Sequence, residues 1–219
     1  MIIVWTLLWA VSTALTNYFI VYRFLPEEKA ADVYITKGKR GLLTMGLCSA
    51  LAGSAALIVF STQEEVTLIA ILKIAVVFSV LSIIVVTDIN AHIIPNYCSV
   101  VFLAARAVSF AAEVYLYKEL AFSGILSSVI SAGICFSFLI VSSWITHGGI
   151  GYGDIKFFTS LGFLCGIQTA VFTLLFAMLF CAAVSGVLLL TKKKSIRDSI
   201  PMGPFILAGF YTVVILGVG

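Results

Sequence analysis

Two aspartates stand out in this chain because almost nothing around them is polar. Asp88 closes a long apolar run in Val-Val-Thr-Asp-Ile-Asn-Ala-His-Ile-Ile-Pro-Asn (85–96), and Asp154 lies in Gly-Ile-Gly-Tyr-Gly-Asp-Ile-Lys (149–156). Two carboxylates brought together can hydrolyse a peptide bond. One takes a proton from water while the other gives one to the carbonyl oxygen or the leaving amine. Like charges at close range cannot both ionise, so such a pair shares a proton near neutral pH. An apolar, low-dielectric setting holds that proton more firmly. An ionisable residue set into a membrane segment points to function by default.

The neighbours of the pair have readable uses. Gly148, Gly149, Gly151 and Gly153 open backbone conformations closed to other residues and let an extended peptide come close. Asp154 is expected at the head of a helix, where negative charge is favoured. Pro95 biases Ile94 to extended geometry, and Asn96 is placed to cap the helix that follows. For Lys156 three readings stand together: neutralising Asp154, holding peptide carbonyls, or snorkelling to headgroups. His92 and His147 read as interfacial loop residues. Arg106 and Glu113 share a helical face and are expected to pair, with each other or with a neighbouring helix. Lys73 has no assigned role. The five cysteines form no Cys-x-x-Cys pair and no zinc-ligand spacing, so they read as small buried hydrophobes and no metal is expected.

The elements that must carry these residues follow from composition. Hydrophobic residues make up 62% of the chain and charged residues 11%, far from the roughly half apolar and quarter charged of soluble domains. The expected fold is all-α, a polytopic membrane helix bundle. With about 20 residues per crossing, the apolar runs give about eight transmembrane segments. They lie near 2–22, 42–60, 66–87, 96–117, 120–145, 156–166, 168–190 and 201–219. The first, lacking a basic start or a small-residue cleavage site, reads as a retained helix. The sixth is short, with a tight hairpin expected at Gly166–Gln168. All of 1–219 is read as one membrane-embedded domain, with 23–40 as a short cytoplasmic loop. The loops 23–40, 88–96, 147–156 and 191–200 carry most of the Lys and Arg. That bias places them in the cytoplasm and brings Asp88 and Asp154 to the same face. No basic patch with interleaved aromatics is present, so nucleic acid is not an expected partner.

Asp88 to Asn96 (DINAHIIPN) and Gly151 to Lys156 (GYGDIK) resemble the two signature motifs of the type IV prepilin peptidases, GxGD-type aspartyl proteases of bacterial inner membranes. Ile-Pro-Met-Gly-Pro-Phe (200–205) is similar to that family's C-terminal proline-glycine-proline motif. The resemblance runs in order over residues 85–210. It implies that Asp88 and Asp154 are the catalytic pair, with Gly151, Gly153, Lys156, Pro95 and Asn96 positioning the substrate. It implies prepilin or pseudopilin precursors as partners, cut on the cytoplasmic face to release a short basic leader. Their apolar helix stays in the lipid beside the enzyme, in pilus or type II secretion systems. Many members carry two zinc-binding Cys-x-x-Cys pairs in the first cytoplasmic loop; residues 23–40 contain no cysteine, so zinc is not expected here. No cofactor is implied for cleavage, and N-methylation from S-adenosylmethionine is left open. Two rivals share the paired acids: a presenilin-like intramembrane protease and a cation-coupled transporter.

Overall fold

The computed structural model describes residues 68–91, 93–116, 118–147, 150–192 and 200–217. Apolar segments one and two, the loop 23–40, His92, Gly148, Gly149 and the basic cluster 193–197 lie outside the described residues. The described chain forms six helices: α1 (Leu68–Ala91), α2 (Asn96–Leu116), α3 (Lys118–Ile145), α4 (Tyr152–Cys165), α5 (Ile167–Leu190) and α6 (Gly203–Leu216). The last six expected segments are therefore each a helix, and no strand occurs among the described residues.

α1 is apolar on every side and buried without interruption from Val80 to Asp88, as expected of a helix at the centre of a bundle. Its hydroxyls bond back one turn: Ser79 to the Ala75 carbonyl, Ser82 to Phe78 and Thr87 to Ile83. No water is available at membrane depth, so this local bonding is how Ser and Thr are accommodated there. The core groups Phe78, Leu81 and Ile84 of α1 with Phe102 of α2, Phe157 and Phe158 of α4, and Phe210 of α6. The outer faces of α3 and α5 carry Phe122, Leu126, Phe138, Trp144 and Leu179 exposed. Such a surface suits lipid rather than water.

Helices α1, α2, α3 and α5 are long and apolar enough to cross a membrane. α4 and α6 have 14 residues each, about 21 Å at 1.5 Å per residue, against a hydrocarbon core of about 30 Å. The sixth segment is thus short, as expected, and it begins at Tyr152, so Asp154 and Lys156 ride on the helix itself. The expected hairpin narrows to one residue. Gly166 has φ 93° and ψ 169°, a conformation L side chains rarely adopt, and it ends α4 and starts α5.

Two further glycines allow close helix crossings, as small residues do in membranes. Gly162 on α4 faces the Cys135 Sγ of α3, and Gly209 on α6 lies against the backbone of α5. A Cβ at Gly209 would stand 2.6 Å from the Thr173 carbonyl oxygen and 2.9 Å from the Ala177 nitrogen. Backbone cannot yield as a side chain does. Gly209→Leu is expected to cost more than the usual 1–3 kcal/mol of overpacking, about 3 kcal/mol or above. Thermal unfolding in detergent reads this as a marked loss of stability.

Candidate active site

Consecutive helices run antiparallel, so the end of α1, the heads of α2, α4 and α6, and the ends of α3 and α5 gather at one end of the bundle. Asp88 lies one turn before the end of α1 and is only 8% exposed. Its Oδ2 accepts the Gly203 backbone N–H at 2.6 Å. The Pro-Met-Gly-Pro run explains why that donor is on offer. Pro204 has no N–H, and the N–H groups of Phe205 and Ile206 both go to the Met202 carbonyl. A Cβ on Gly203 would stand 3.1 Å from the Asp88 Cβ and 3.2 Å from both its Oδ2 and the Ile84 carbonyl oxygen. Only glycine lets the head of α6 come this close, and a helix head favours negative charge beside it.

Asp154 is the third residue of α4, whose cap is Gly151 (φ −68°, ψ 145°). The Gly151 carbonyl accepts the Ile155 N–H at 3.2 Å. The Asp154 carboxylate accepts from the Gly151 backbone N–H, the half of a capping box that an acid at this position supplies; Gly151 has no side chain to return it. Each aspartate is therefore held by a glycine backbone group, Asp154 from within its own motif and Asp88 from the 200–205 run across the fold. Burial, and after it the charge of Asp88, pushes the Asp154 pKa from its ordinary 3.8 up to about 6; the Gly151 hydrogen bond pulls the other way. Asp88 thus acts electrostatically on Asp154, so the structure brings the two motifs' acids together.

The flanking residues lock the motifs to each other. A Cβ on Gly153 would meet the Ile94 Cβ at 3.2 Å, so Gly153 seats the protein's own loop where the sequence suggested room for a peptide. Lys156 Nζ donates to Asn96 Oδ1 at 3.2 Å, both exposed. This corrects two expectations. Asn96 is the first residue of α2 and does not cap it; the Pro95 carbonyl accepts the Cys98 N–H there. Lys156 bonds Asn96, which leaves the Asp154 proton to the aspartate pair. Ser143 Oγ, near the end of α3, donates to the Ile150 carbonyl at 3.1 Å and pins the strand of chain entering α4. His147 closes α3 in an exposed turn at φ 52°. The residue missed by sequence reasoning is Gly203: the Pro-Met-Gly-Pro run was visible, but its N–H partner lies across the fold.

A family model described as the type IV leader peptidase family matches residues 75–186, just over half of the chain and both aspartates. The chain belongs to the type IV leader peptidase family. The match ends before Gly203, which the fold adds to the site. A prepilin leader peptidase/N-methyltransferase of Bacillus subtilis is 37% identical over 144 residues, covering 65% of this chain and 55% of that protein. The leader peptidase HopD of Salmonella typhimurium is 36% identical over 66 residues, 29% of this chain and 43% of that protein. The chain spans about half the length of the curated relatives it matches. No solved structure matches it.

Proposed function

We propose that this chain is an aspartyl endopeptidase that removes the leader from type IV prepilins or pseudopilins at the cytoplasmic face of a bacterial inner membrane. The observation that carries this reading is the meeting of Asp88 and Asp154 at one end of a membrane bundle, each held by a glycine backbone group. Asp88, facing the head of α6, takes a proton from water. Asp154 keeps the shared proton and delivers it to the scissile carbonyl oxygen, and in the reverse sense the proton from water passes on to the leaving amine. The two carboxylates supply both base and acid. The exposed Lys156–Asn96 pair and the exposed Ile93 and Tyr152 beside it form the surface that meets the precursor. Lys156 and Lys192 at this end of the bundle agree with a cytoplasmic face.

The pH profile of precursor cleavage tests the assignment of roles. The acid must be protonated, so kcat/KM is expected to fall as pH rises past about 6, approaching tenfold per unit. A bound apolar precursor adds to the burial of Asp154, so the same limb in kcat lies at higher pH. A rate still climbing well into alkaline pH would assign the proton donor elsewhere.

A further inference from the structure

At the end of the bundle away from the aspartates, a pocket of about 490 Å³ lies beneath the foot of α4. α4 stops at Cys165 while its neighbours α2 and α3 continue, and polar side chains occupy the space that a longer helix would fill. Lys73, Arg106, Glu113, Ser127, Ser128 and Gly166 line it. Lys73 Nζ donates to Glu113 Oε1 at 3.0 Å, and Arg106 Nη1 donates to Glu113 Oε2 at 2.9 Å. Arg106 Nε donates to Ser128 Oγ at 2.8 Å. The expected Arg106–Glu113 pair is therefore present, and Lys73 acquires a partner that the sequence did not assign.

Among the described residues two cations share one carboxylate, which leaves the triad with one positive charge in excess. The Arg106 side chain is 2% exposed, and those of Lys73 and Glu113 are 20% and 18% exposed. Surplus charge at this depth is costly unless a counter-ion answers it. Arginine offers five N–H donors in a planar fork suited to phosphate, and among the described residues its bonds to Glu113 and Ser128 engage only part of that fork. Ser128 spends its own O–H on the Gly124 carbonyl at 2.9 Å, so the further hydroxyl donor lining the pocket is that of Ser127, of the kind a phosphate oxygen accepts.

We propose that this pocket binds a singly charged phosphate group, supplied by an anionic phospholipid headgroup or by free phosphate, with Lys73 and Arg106 as its cationic ligands. A headgroup there would neutralise the triad and brace Gly166, the hinge at the foot of the helix that carries Asp154. The inference stands apart from the peptidase reading, because binding is read by unfolding and not by cleavage.

The test is thermal unfolding of the full chain in a neutral detergent, titrated separately with dioleoylphosphatidylglycerol, dioleoylphosphatidylcholine and sodium phosphate. Phosphatidylglycerol is expected to raise Tm, and phosphatidylcholine to leave it unchanged. Lys73→Gln, at a part-exposed position where folding is least at risk, is expected to weaken phosphatidylglycerol binding by about tenfold. Glu113→Gln, which increases the positive excess, is expected to tighten it. Stabilisation by phosphatidylglycerol without phosphate identifies a lipid site; equal stabilisation by phosphate identifies a soluble anion. No shift with either probe, or wild-type affinity in Lys73→Gln, overturns the proposal.

Discussion

Asp154→Asn is expected to lower kcat by at least about 10³-fold, within the range that a lost general acid costs, while making the folded protein harder to unfold above pH 6. The second half follows from the raised pKa. Between the ordinary 3.8 and about 6, the folded state holds a proton that the unfolded state has released. Stability from this group is therefore full below 3.8 and is lost as pH rises through 6. Asparagine carries no charge to bury, so its advantage is greatest at neutral pH and vanishes in acid. Asp88→Asn is expected to lose activity equally. It also removes one of the causes that raise Asp154, which should then titrate lower. Cleavage assays at matched membrane levels, with thermal unfolding at acid and neutral pH, check both halves.

Gly203→Val is expected to lower kcat by about 100-fold with little change in precursor binding. A Cβ there would press on Asp88 at 3.1 Å and on the Ile84 carbonyl at 3.2 Å, so the helix head must retreat and the 2.6 Å bond to Oδ2 lengthens. A displacement of this kind at a reacting group can cost 10²-fold. Gly203→Ala, whose smaller side chain needs only a few tenths of an ångström, is expected to lose less. α6 itself should survive both changes, because alanine favours a helix more than glycine does. Gly203 is thus a positioning residue, read by a fall in kcat at unchanged KM and near-unchanged Tm in the alanine variant. A Gly203→Val protein with wild-type kcat would remove α6 from the site.

Much of the bundle was legible because hydrophobic runs in a membrane chain have little other choice than helix. The helices around Asp88 and Asp154 fell where apolar runs and the Pro95 and Gly166 breaks placed them. The coming together of the two acids was legible too, through loop charge and the number of segments between them. What escaped was set by contacts distant in sequence. Gly203 donates to Asp88 across the fold, and no local pattern names an N–H partner. Asn96 looked like a cap because of its residue type, yet it is the first residue of α2, the Pro95 carbonyl takes the Cys98 N–H, and the Asn96 amide is free for Lys156. Lys73 had no visible partner because Glu113 stands on the next helix.

Removal of a prepilin leader is expected to need the two aspartates together. The most direct test is mass spectrometry of a prepilin precursor incubated with the purified chain in lipid vesicles, beside Asp88→Asn and Asp154→Asn. The wild-type chain is expected to release an intact basic leader, and both variants to leave the precursor unchanged. With S-adenosylmethionine present, a mature product heavier by one methyl group would add N-methylation to the activity. A precursor left whole by the wild-type chain, or cut equally by both variants, would rule out cleavage by the aspartate pair.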